Sequence, residues 1–250
     1  MRYLATVKYD GTRYAGYQVQ PNQMTIQSTI EAALQQLHKG AAVKITASGR
    51  TDAGVHANGQ TFHFNSSLAI ANSKWKLALN ALLPDDIVIV EIKQVSEDFH
   101  ARYDVIEKTY KYVIWNGADA NPFERHYSYH IRRPLDLALI ANGCHLLEGQ
   151  HDFTAYCAAN SQVKGSKVRT IYQAKCEQQG DYVVFTFTGS GFLYNMVRIM
   201  VGTLVEVGLA ERKPETILTS FEHLKRSDLG KTAPAHGLYL EKVGYPGDKV

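Results

Sequence analysis

Several features that would indicate a secreted, membrane or metal-binding protein are absent from this 250-residue sequence. No apolar run approaches the roughly 20 residues that a helix needs to span a bilayer. The first residues, MRYLATVKYDG, contain neither the apolar core nor the cleavage site of a signal peptide. Three cysteines, Cys144, Cys157 and Cys176, are too few and too scattered for a disulfide framework or a CxxC metal site. We therefore expect a cytoplasmic protein with no membrane anchor.

The charge balance is also unremarkable, because the formal net charge is only +3 and 20% of the residues are charged. With 45% hydrophobic residues, the composition is that of an ordinary globular protein. The mildly basic balance is compatible with a nucleic-acid partner but does not by itself demand one.

One order of predicted elements occurs twice along the chain. The first half contains a strand, a helix, two strands, a helix and a strand, in the segments RYLATVKYDG, TIQSTIEAALQQLHKG, AAVKITAS, GQTFHFNS, KWKLALNALL and IVIVEIKQV. The second half repeats this order with KTYKYVIWNG, LDLALIANGCHLLEG, KVRTIYQAKCEQ, DYVVFTFTG, FLYNMVRIMVGTLVEV and GLYLEKVGY. Two β-α-β-β-α-β halves, residues 1–104 and 105–250, predict an α+β fold with a largely antiparallel sheet and a central ligand cleft. One continuous α+β domain is the alternative that this pattern leaves open.

The segment SGRTDAGVHANGQ, residues 48–60, places three glycines around a single acid, Asp52. Small residues permit unusual backbone angles and let another backbone or a ligand approach closely. The segment therefore favours a functional loop with Asp52 as its reactive group. An Asx turn in an ordinary loop is the alternative interpretation of Asp52.

Arg198 is the only charged residue in the apolar segment GSGFLYNMVRIMVGTLV, residues 189–205. A segment with no polar face predicts a mostly buried helix. A buried guanidinium costs several kcal/mol unless an anion and hydrogen bonds compensate it, so Arg198 requires a carboxylate or a phosphate. Asp52 would meet this requirement and would itself be held ionised. The alternative is that Arg198 extends to the surface along its aliphatic stem.

Tyr110 and Tyr112 share one face of the strand in KTYKY, because side chains alternate along a strand. A tyrosine that faces a charged cleft can stack on a flat ring and offer its hydroxyl.

The motifs GRTDAGVHA, YDGTRYAGYQVQ, DFHARYDVIEKTYKY, FLYNMVRIMVG and GLYL together resemble the tRNA pseudouridine synthase A family, in matching order over nearly the whole chain. This resemblance implies the α+β pseudouridine synthase fold, a homodimer, and no metal or organic cofactor. It also implies an isomerase that converts uridine to pseudouridine in the tRNA anticodon stem-loop, at nucleotides 38, 39 and 40.

The resemblance also assigns roles to individual residues. Asp52 takes the place of the catalytic aspartate nucleophile, Tyr110 that of the tyrosine that stacks on the target base, and Arg198 that of the arginine that pairs with the aspartate. Leu238, in GLYL, would form an apolar wall of the substrate pocket. Arg50, beside the nucleophile, is expected to contact a phosphate or to order the loop. Whether Asp52 attacks the base or the sugar first is left open.

Two other functions remain open at this stage: an RNA-binding protein without turnover, and a nucleoside or glycosidic hydrolase. A hydrolase normally uses two carboxylates, and a second one could come from Asp10, Asp85, Asp86 or Asp104. His56 and His63 are expected to be structural hydrogen-bonding residues rather than catalytic ones.

Overall fold

The computed structural model describes residues 1–158, 165–247 and 249. The chain folds into two compact units. The first is formed by Met1–Ile106 together with the segment from Tyr239 onward, and the second by Glu107–Leu238. The expected change of unit after residue 104 therefore falls two residues early, and the closing segment belongs to the first unit rather than to the second.

The first unit contains four strands of its own, two helices and most of the closing strand. The strands are β1 (Arg2–Tyr9), β2 (Ile45–Ala47), β3 (His56–Asn65), β4 (Ile87–Val95) and the closing β10 (Leu238–Gly244), and the helices are α1 (Ile26–Leu37) and α2 (Asn72–Asn80). Strand pairing in this unit follows the order β4-β1-β3-β10, with β2 also paired to β3.

All pairings in this unit are antiparallel except that of β10 with β3. In that parallel pair, Tyr239 lies opposite His56 and Leu240 opposite Ala57. The pairing gives backbone partners to an edge of β3 that would otherwise be open. This is why the closing segment joins the first unit, although the sequence pattern assigned it to the second.

Two helices cover apolar positions of the first unit. Helix α1 begins with a capping box, in which the Thr25 side chain accepts from the Ser28 backbone and the Ser28 side chain accepts from the Thr25 backbone. Trp75 of α2 is fully buried and packs its ring against Tyr3 and Phe64, with ring centroids 5.5 and 5.4 Å away. This aromatic cluster fixes α2 against β1 and β3.

The second unit contains strands β5 (Glu107–Trp115), β6 (Tyr129–His130), β7 (Gly149–Asp152), β8 (Val168–Gln179) and β9 (Tyr182–Gly189), and helices α3 (Leu137–Leu147), α4 (Met196–Gly208) and α5 (Thr216–His223). Its strands are ordered β5-β9-β8-β7, all antiparallel, with β6 parallel to β5. The mixed α+β class and the mostly antiparallel pairing agree with the prediction.

Close helix packing in the second unit depends on small residues. A Cβ on Gly143 of α3 would lie 2.6 Å from Leu204 Cδ2 of α4, and a Cβ on Gly208 would lie 2.6 Å from Ile140 Cδ1. Eleven of the thirteen residues of α4 are buried. The expected buried helix is therefore present, although it begins at Met196 and the residues before it form a turn.

The part of the chain that the structure describes contains no helix that is both long and apolar enough to cross a membrane.

Candidate active site

Asp52 opens a tight turn immediately before β3. Its carbonyl accepts a hydrogen bond from the Val55 amide at 3.2 Å, and Gly54 has φ of 76°. Ala53, at the second position, has no positive φ, so the turn is of type II, which needs positive φ at its third position and therefore favours glycine there. The Asp52 side chain is half-buried, whereas Ala53 beside it is exposed.

Two glycines of the loop after β1 let that loop lie directly against the Asp52 turn. A Cβ on Gly11 would lie 2.0 Å from the carbonyl oxygen of Val55. Gly16 has φ of 96°, and a Cβ there would lie 2.9 Å from the carbonyl oxygen of Thr51. Because no side chain fits at either position, the motif YDGTRYAGY holds the backbone on both sides of Asp52.

Buried tyrosines support the residue that precedes Asp52. The Tyr9 hydroxyl is 2.8 Å from Thr51 Oγ1, and the Tyr17 amide donates to the Thr51 carbonyl at 3.0 Å. Burial raises the pKa of both Tyr9 and Tyr17 well above the ordinary value for tyrosine. Both phenols are therefore neutral in the working pH range, and they add no negative charge beside Asp52.

Gly49 and Gly59, the other two glycines of the segment 48–60, have different structural roles. The Gly49 carbonyl accepts from Gln60 Nε2 at 3.0 Å, and Gln60 Oε1 accepts from the Ser48 hydroxyl at 2.5 Å. A Cβ on Gly59 would lie 2.5 Å from the Glu241 carbonyl of β10. The glycines around Asp52 thus provide a turn, a side-chain-to-backbone anchor and a close approach of two strands.

His56 and His63 both accept backbone hydrogen bonds through Nδ1. His56 accepts from the Gly11 amide at 3.1 Å and stacks on Tyr239, with ring centroids 4.8 Å apart. His63 accepts from the Ala101 amide at 3.1 Å. Burial, followed by the charge of Arg2, lowers the pKa of His63 to about 4. These contacts are those of structural histidines.

Arg198 lies in the first turns of α4 and is half-buried. Its Nε donates to the Ala233 carbonyl at 2.7 Å, and its Nη1 donates to Asn195 Oδ1 at 2.9 Å. Both acceptors are neutral oxygens, so they satisfy donors without cancelling the positive charge. These two contacts tie the half-buried guanidinium to Asn195 and to the segment that contains Ala233.

Tyr110 is 9% exposed and packs edge-to-face on Phe192, with ring centroids 5.1 Å apart and planes at 81°. Tyr110, Tyr112 and Ile114 are buried, and the residues between them are half-buried. The expected shared face of Tyr110 and Tyr112 is therefore confirmed. The contact with Phe192 fixes the orientation of the Tyr110 ring.

Tyr112 links β5 to the segment that holds Arg198. Its hydroxyl donates to the Pro234 carbonyl at 2.8 Å, one residue after the Ala233 carbonyl that accepts from Arg198. Burial raises the pKa of Tyr112, and the positive charge of Arg198 acts in the opposite direction. A Cβ on Gly237 would lie 2.7 Å from the Tyr112 ring, so this segment packs tightly on it.

The two remaining predicted residues differ in exposure. Arg50 is exposed beside the Asp52 turn, as a residue that contacts a phosphate must be. Leu238 is 6% exposed at the start of β10. Arg50 and Asp52 thus lie in the first unit, and Tyr110, Arg198 and Leu238 in the second.

Three of the four aspartates named above as a possible second carboxylate have partners within the first unit, and Asp10 lies 3.2 Å from Nδ1 of His56. Asp86 pairs with Arg13 and accepts from the Tyr14 hydroxyl at 2.6 Å, and Asp10 accepts from the Thr12 amide at 2.9 Å. Lys249 is 2.8 Å from Asp104 and lowers the pKa of that carboxyl. A general acid needs a raised pKa, so Asp104 does not supply one. Asp85 is exposed.

Sequence reasoning missed three residues that surround Arg198: Asn195, Tyr112 as a hydrogen-bond donor, and Ala233. Asn195 directly precedes α4, where its residue type predicts an ordinary helix cap. Ala233 contributes only backbone atoms, so no side-chain pattern could identify it. The charge of Arg198 was the sole signal that partners were needed.

Comparison with known proteins gives a consistent result. Residues 5–104 and 144–246 match the model of a family described as tRNA pseudouridine synthase. A curated protein named tRNA pseudouridine synthase A from Oceanobacillus iheyensis is 51% identical over 244 residues, which cover 98% of this chain and 96% of that protein. Proteins of the same name from Anoxybacillus flavithermus and Geobacillus sp. strain WCH70 are 49% and 48% identical, with 98% of each chain covered.

Among solved structures, a chain of the crystal structure of a Cbf5-Nop10-Gar1 complex is similar over 81% of this chain and 54% of that chain, with 13% identity and a TM-score of 0.35.

Proposed function

Because the chain belongs to the tRNA pseudouridine synthase family, we propose that it converts uridine to pseudouridine at nucleotides 38, 39 and 40 of the anticodon stem-loop, with Asp52 as the nucleophile. The reaction class, isomerisation of uridine in tRNA, is that of the family. The three nucleotides and the residue roles are our assignment.

The reaction breaks the C1′–N1 glycosidic bond, turns the uracil and joins C1′ to C5. It changes no oxidation state and transfers no phosphate, so acid–base and nucleophilic groups of the chain are sufficient for it. The observation that carries the assignment to Asp52 is its setting: a half-buried carboxylate on a type II turn, with backbone packed on both sides through Gly11 and Gly16. A fixed carboxylate can form and break a covalent bond to the substrate without reorganising its surroundings.

Arg198 supplies the positive charge that keeps such a carboxylate ionised. Its hydrogen bonds to Ala233 and Asn195 go to neutral oxygens, which do not cancel this charge. A charged pair of Asp52 and Arg198 would lower the pKa of the acid and so maintain the nucleophilic form.

Tyr110 stacks on the target base once that base leaves the helix. Extrusion of a base costs a few kcal/mol, and stacking on an aromatic ring returns about 1–3 kcal/mol. The edge-to-face contact with Phe192 orients the Tyr110 ring before substrate arrives. Leu238 forms an apolar wall of the same pocket, which keeps water from the separated base and sugar. The exposed Arg50 contacts a backbone phosphate.

We also propose that the protein acts as a homodimer in the cytoplasm, where its tRNA substrate is found. The support for the dimer is the family resemblance alone. Light scattering of the purified protein tests it, since a mass of about 56 kDa, twice the 27.9 kDa of the chain, is expected and a mass near that of a single chain contradicts it.

Incubation of the purified protein with unmodified tRNA, in buffer without added cofactor, tests the proposed function. Formation of pseudouridine without release of free uracil is the expected result. Free uracil would instead identify a glycosidic hydrolase, and bound but unaltered RNA would identify a binding protein without turnover.

A further inference from the structure

Asn195 lies at the N-cap position of α4, where an asparagine side chain usually caps the helix. It precedes α4 at the N-cap position, with φ of 62° and ψ of 3°, in the left-handed region. An N-cap residue normally has an extended backbone and caps the first free amides of the helix. Within the described part of the chain, Asn195 makes no side-chain capping hydrogen bond. Its side chain accepts from Arg198 Nη1 instead.

The left-handed backbone of Asn195 allows the chain to turn before α4 while the side chain contacts Arg198. Asparagine is one of the few residues other than glycine that adopts this region at modest cost. The chain continues into the helix from there, since the Ile199 amide donates to the Asn195 carbonyl at 3.0 Å. Arg198, three residues after Asn195, then lies within reach of its amide group.

A second contact holds the same guanidinium through a different nitrogen. Arg198 Nε donates to the Ala233 carbonyl at 2.7 Å, and the Ala233 amide donates to the Arg198 carbonyl at 3.0 Å. A guanidinium is planar and only donates. Two acceptors on two of its nitrogens therefore fix both its position and the direction of its plane.

The charge of the two acceptors matters as well as their positions. Both are neutral oxygens, so neither of these contacts cancels the charge of Arg198. A carboxylate at position 195 could occupy the same place, but it would neutralise Arg198 and compete with any other anion for it. One titratable neighbour, Tyr112 of β5, has a buried phenol whose pKa is raised, so it stays neutral.

We propose that Asn195 is a positioning residue for the reaction: its amide oxygen, together with the Ala233 carbonyl, fixes the position and plane of the Arg198 guanidinium without neutralising it. The proposal rests on the proposed function, in which Arg198 pairs with Asp52. It assigns to Asn195 a role through Arg198 and no contact with the substrate.

Two substitutions separate orientation from charge. Asn195→Gly retains access to the left-handed backbone and removes only the amide, so we expect kcat to fall about 10- to 100-fold with KM for tRNA nearly unchanged. Asn195→Asp retains an acceptor but adds a negative charge. We expect a similar loss of kcat and, in addition, a shift of the acid limb of the kcat–pH profile upward by about one unit, because the added charge weakens the effect of Arg198 on Asp52.

A matched control is Asn22→Gly, because Asn22 is an exposed asparagine with φ of 57° in the first unit. It should retain the kcat and the pH profile of the parent. If Asn195→Gly fails to fold, Asn195→Asp, which retains the branched side chain, carries the test through its pH profile.

The proposal is overturned if both Asn195 variants keep the kcat and pH profile of the parent while Arg198→Met loses activity. It is equally overturned if kcat falls only in proportion to the folded fraction, with the pH profile unmoved. If Arg198→Met itself retains full activity, the error lies in the proposed function, because Arg198 would then have no role to be positioned for.

Discussion

Gly11 and Val55 approach so closely that the carbonyl oxygen of Val55 occupies the space of a side chain on Gly11, 2.0 Å from where its Cβ would lie. The Gly11 amide also donates to Nδ1 of His56, the residue after Val55. The loop after β1 and the turn that carries Asp52 are therefore one packed body. We therefore expect a side chain added at Gly11 to displace Asp52.

Gly11→Ala tests this coupling. The added methyl forces the Val55 carbonyl away, so we expect the free energy of unfolding to fall by about 2 kcal/mol or more and kcat to fall about 100-fold. Denaturant unfolding and single-turnover kinetics measure the two effects. Gly247→Ala is the matched control, because a Cβ on Gly247 meets no atom within 4 Å. Equal behaviour of the two variants would show that the loops are not coupled.

Tyr112→Phe tests the support of the segment that holds Arg198. The variant removes the hydrogen bond to the Pro234 carbonyl, and we expect a loss of about 1 kcal/mol in stability and about 10-fold in kcat. Tyr3→Phe is the control, since the Tyr3 hydroxyl reaches its carbonyl partner, Leu68, only at 3.4 Å. An unchanged kcat in Tyr112→Phe would mean that Arg198 is held without this bond.

Tyr110→Phe separates stacking from proton transfer. The phenyl ring keeps the contact with Phe192, so tRNA binding should persist. The variant loses the hydroxyl that transfers a proton during the rearrangement, so kcat should fall by about 10²–10⁴. Tyr110→Ala should weaken binding as well, by about 1–3 kcal/mol. A phenylalanine variant as active as the parent would remove the hydroxyl from the mechanism.

His63 predicts a pH dependence of stability. Its pKa is lowered to about 4 in the folded protein, so the unfolded chain binds more protons between about pH 4 and 6.5. The free energy of unfolding should therefore fall by on the order of 2 kcal/mol as the pH drops from 6.5 to 4. Below pH 4, His63 should contribute little further change. His63→Asn, whose Oδ1 can accept from Ala101 in place of Nδ1, should show a smaller fall. If the parent and His63→Asn lose the same free energy of unfolding over this pH range, His63 is not the source of the pH dependence.

Local sequence patterns predicted most elements because each depends on residues close in the chain. The alternation in RYLATVKY and KTYKYVIW corresponds to β1 and β5, and the apolar spacing of IQSTIEAALQQL corresponds to α1. The sequence pattern placed the closing strand β10 in the second half, whereas most of it lies in the first unit, paired with β3. The partner of a strand is set by long-range packing that its own pattern does not contain. Helix α5 was missed, as only Ile217 and Ser220 of its eight residues are buried.

For the candidate site, the sequence identified residues whose chemistry is unusual for their surroundings. Arg198 was identified because a lone charge in an apolar helix needs compensation. Asn195 was missed for the opposite reason: an asparagine before a helix satisfies a local rule, and only the backbone angle shows that the rule is not followed here.

The most direct test of the central claim compares the parent protein with Asp52→Asn on a labelled, unmodified anticodon stem-loop transcript, without added cofactor. Pseudouridine should form at nucleotides 38, 39 and 40 with the parent protein. The variant should bind the same RNA and form none, because an amide cannot act as the nucleophile. Pseudouridine formed by Asp52→Asn at the parental rate would contradict the account.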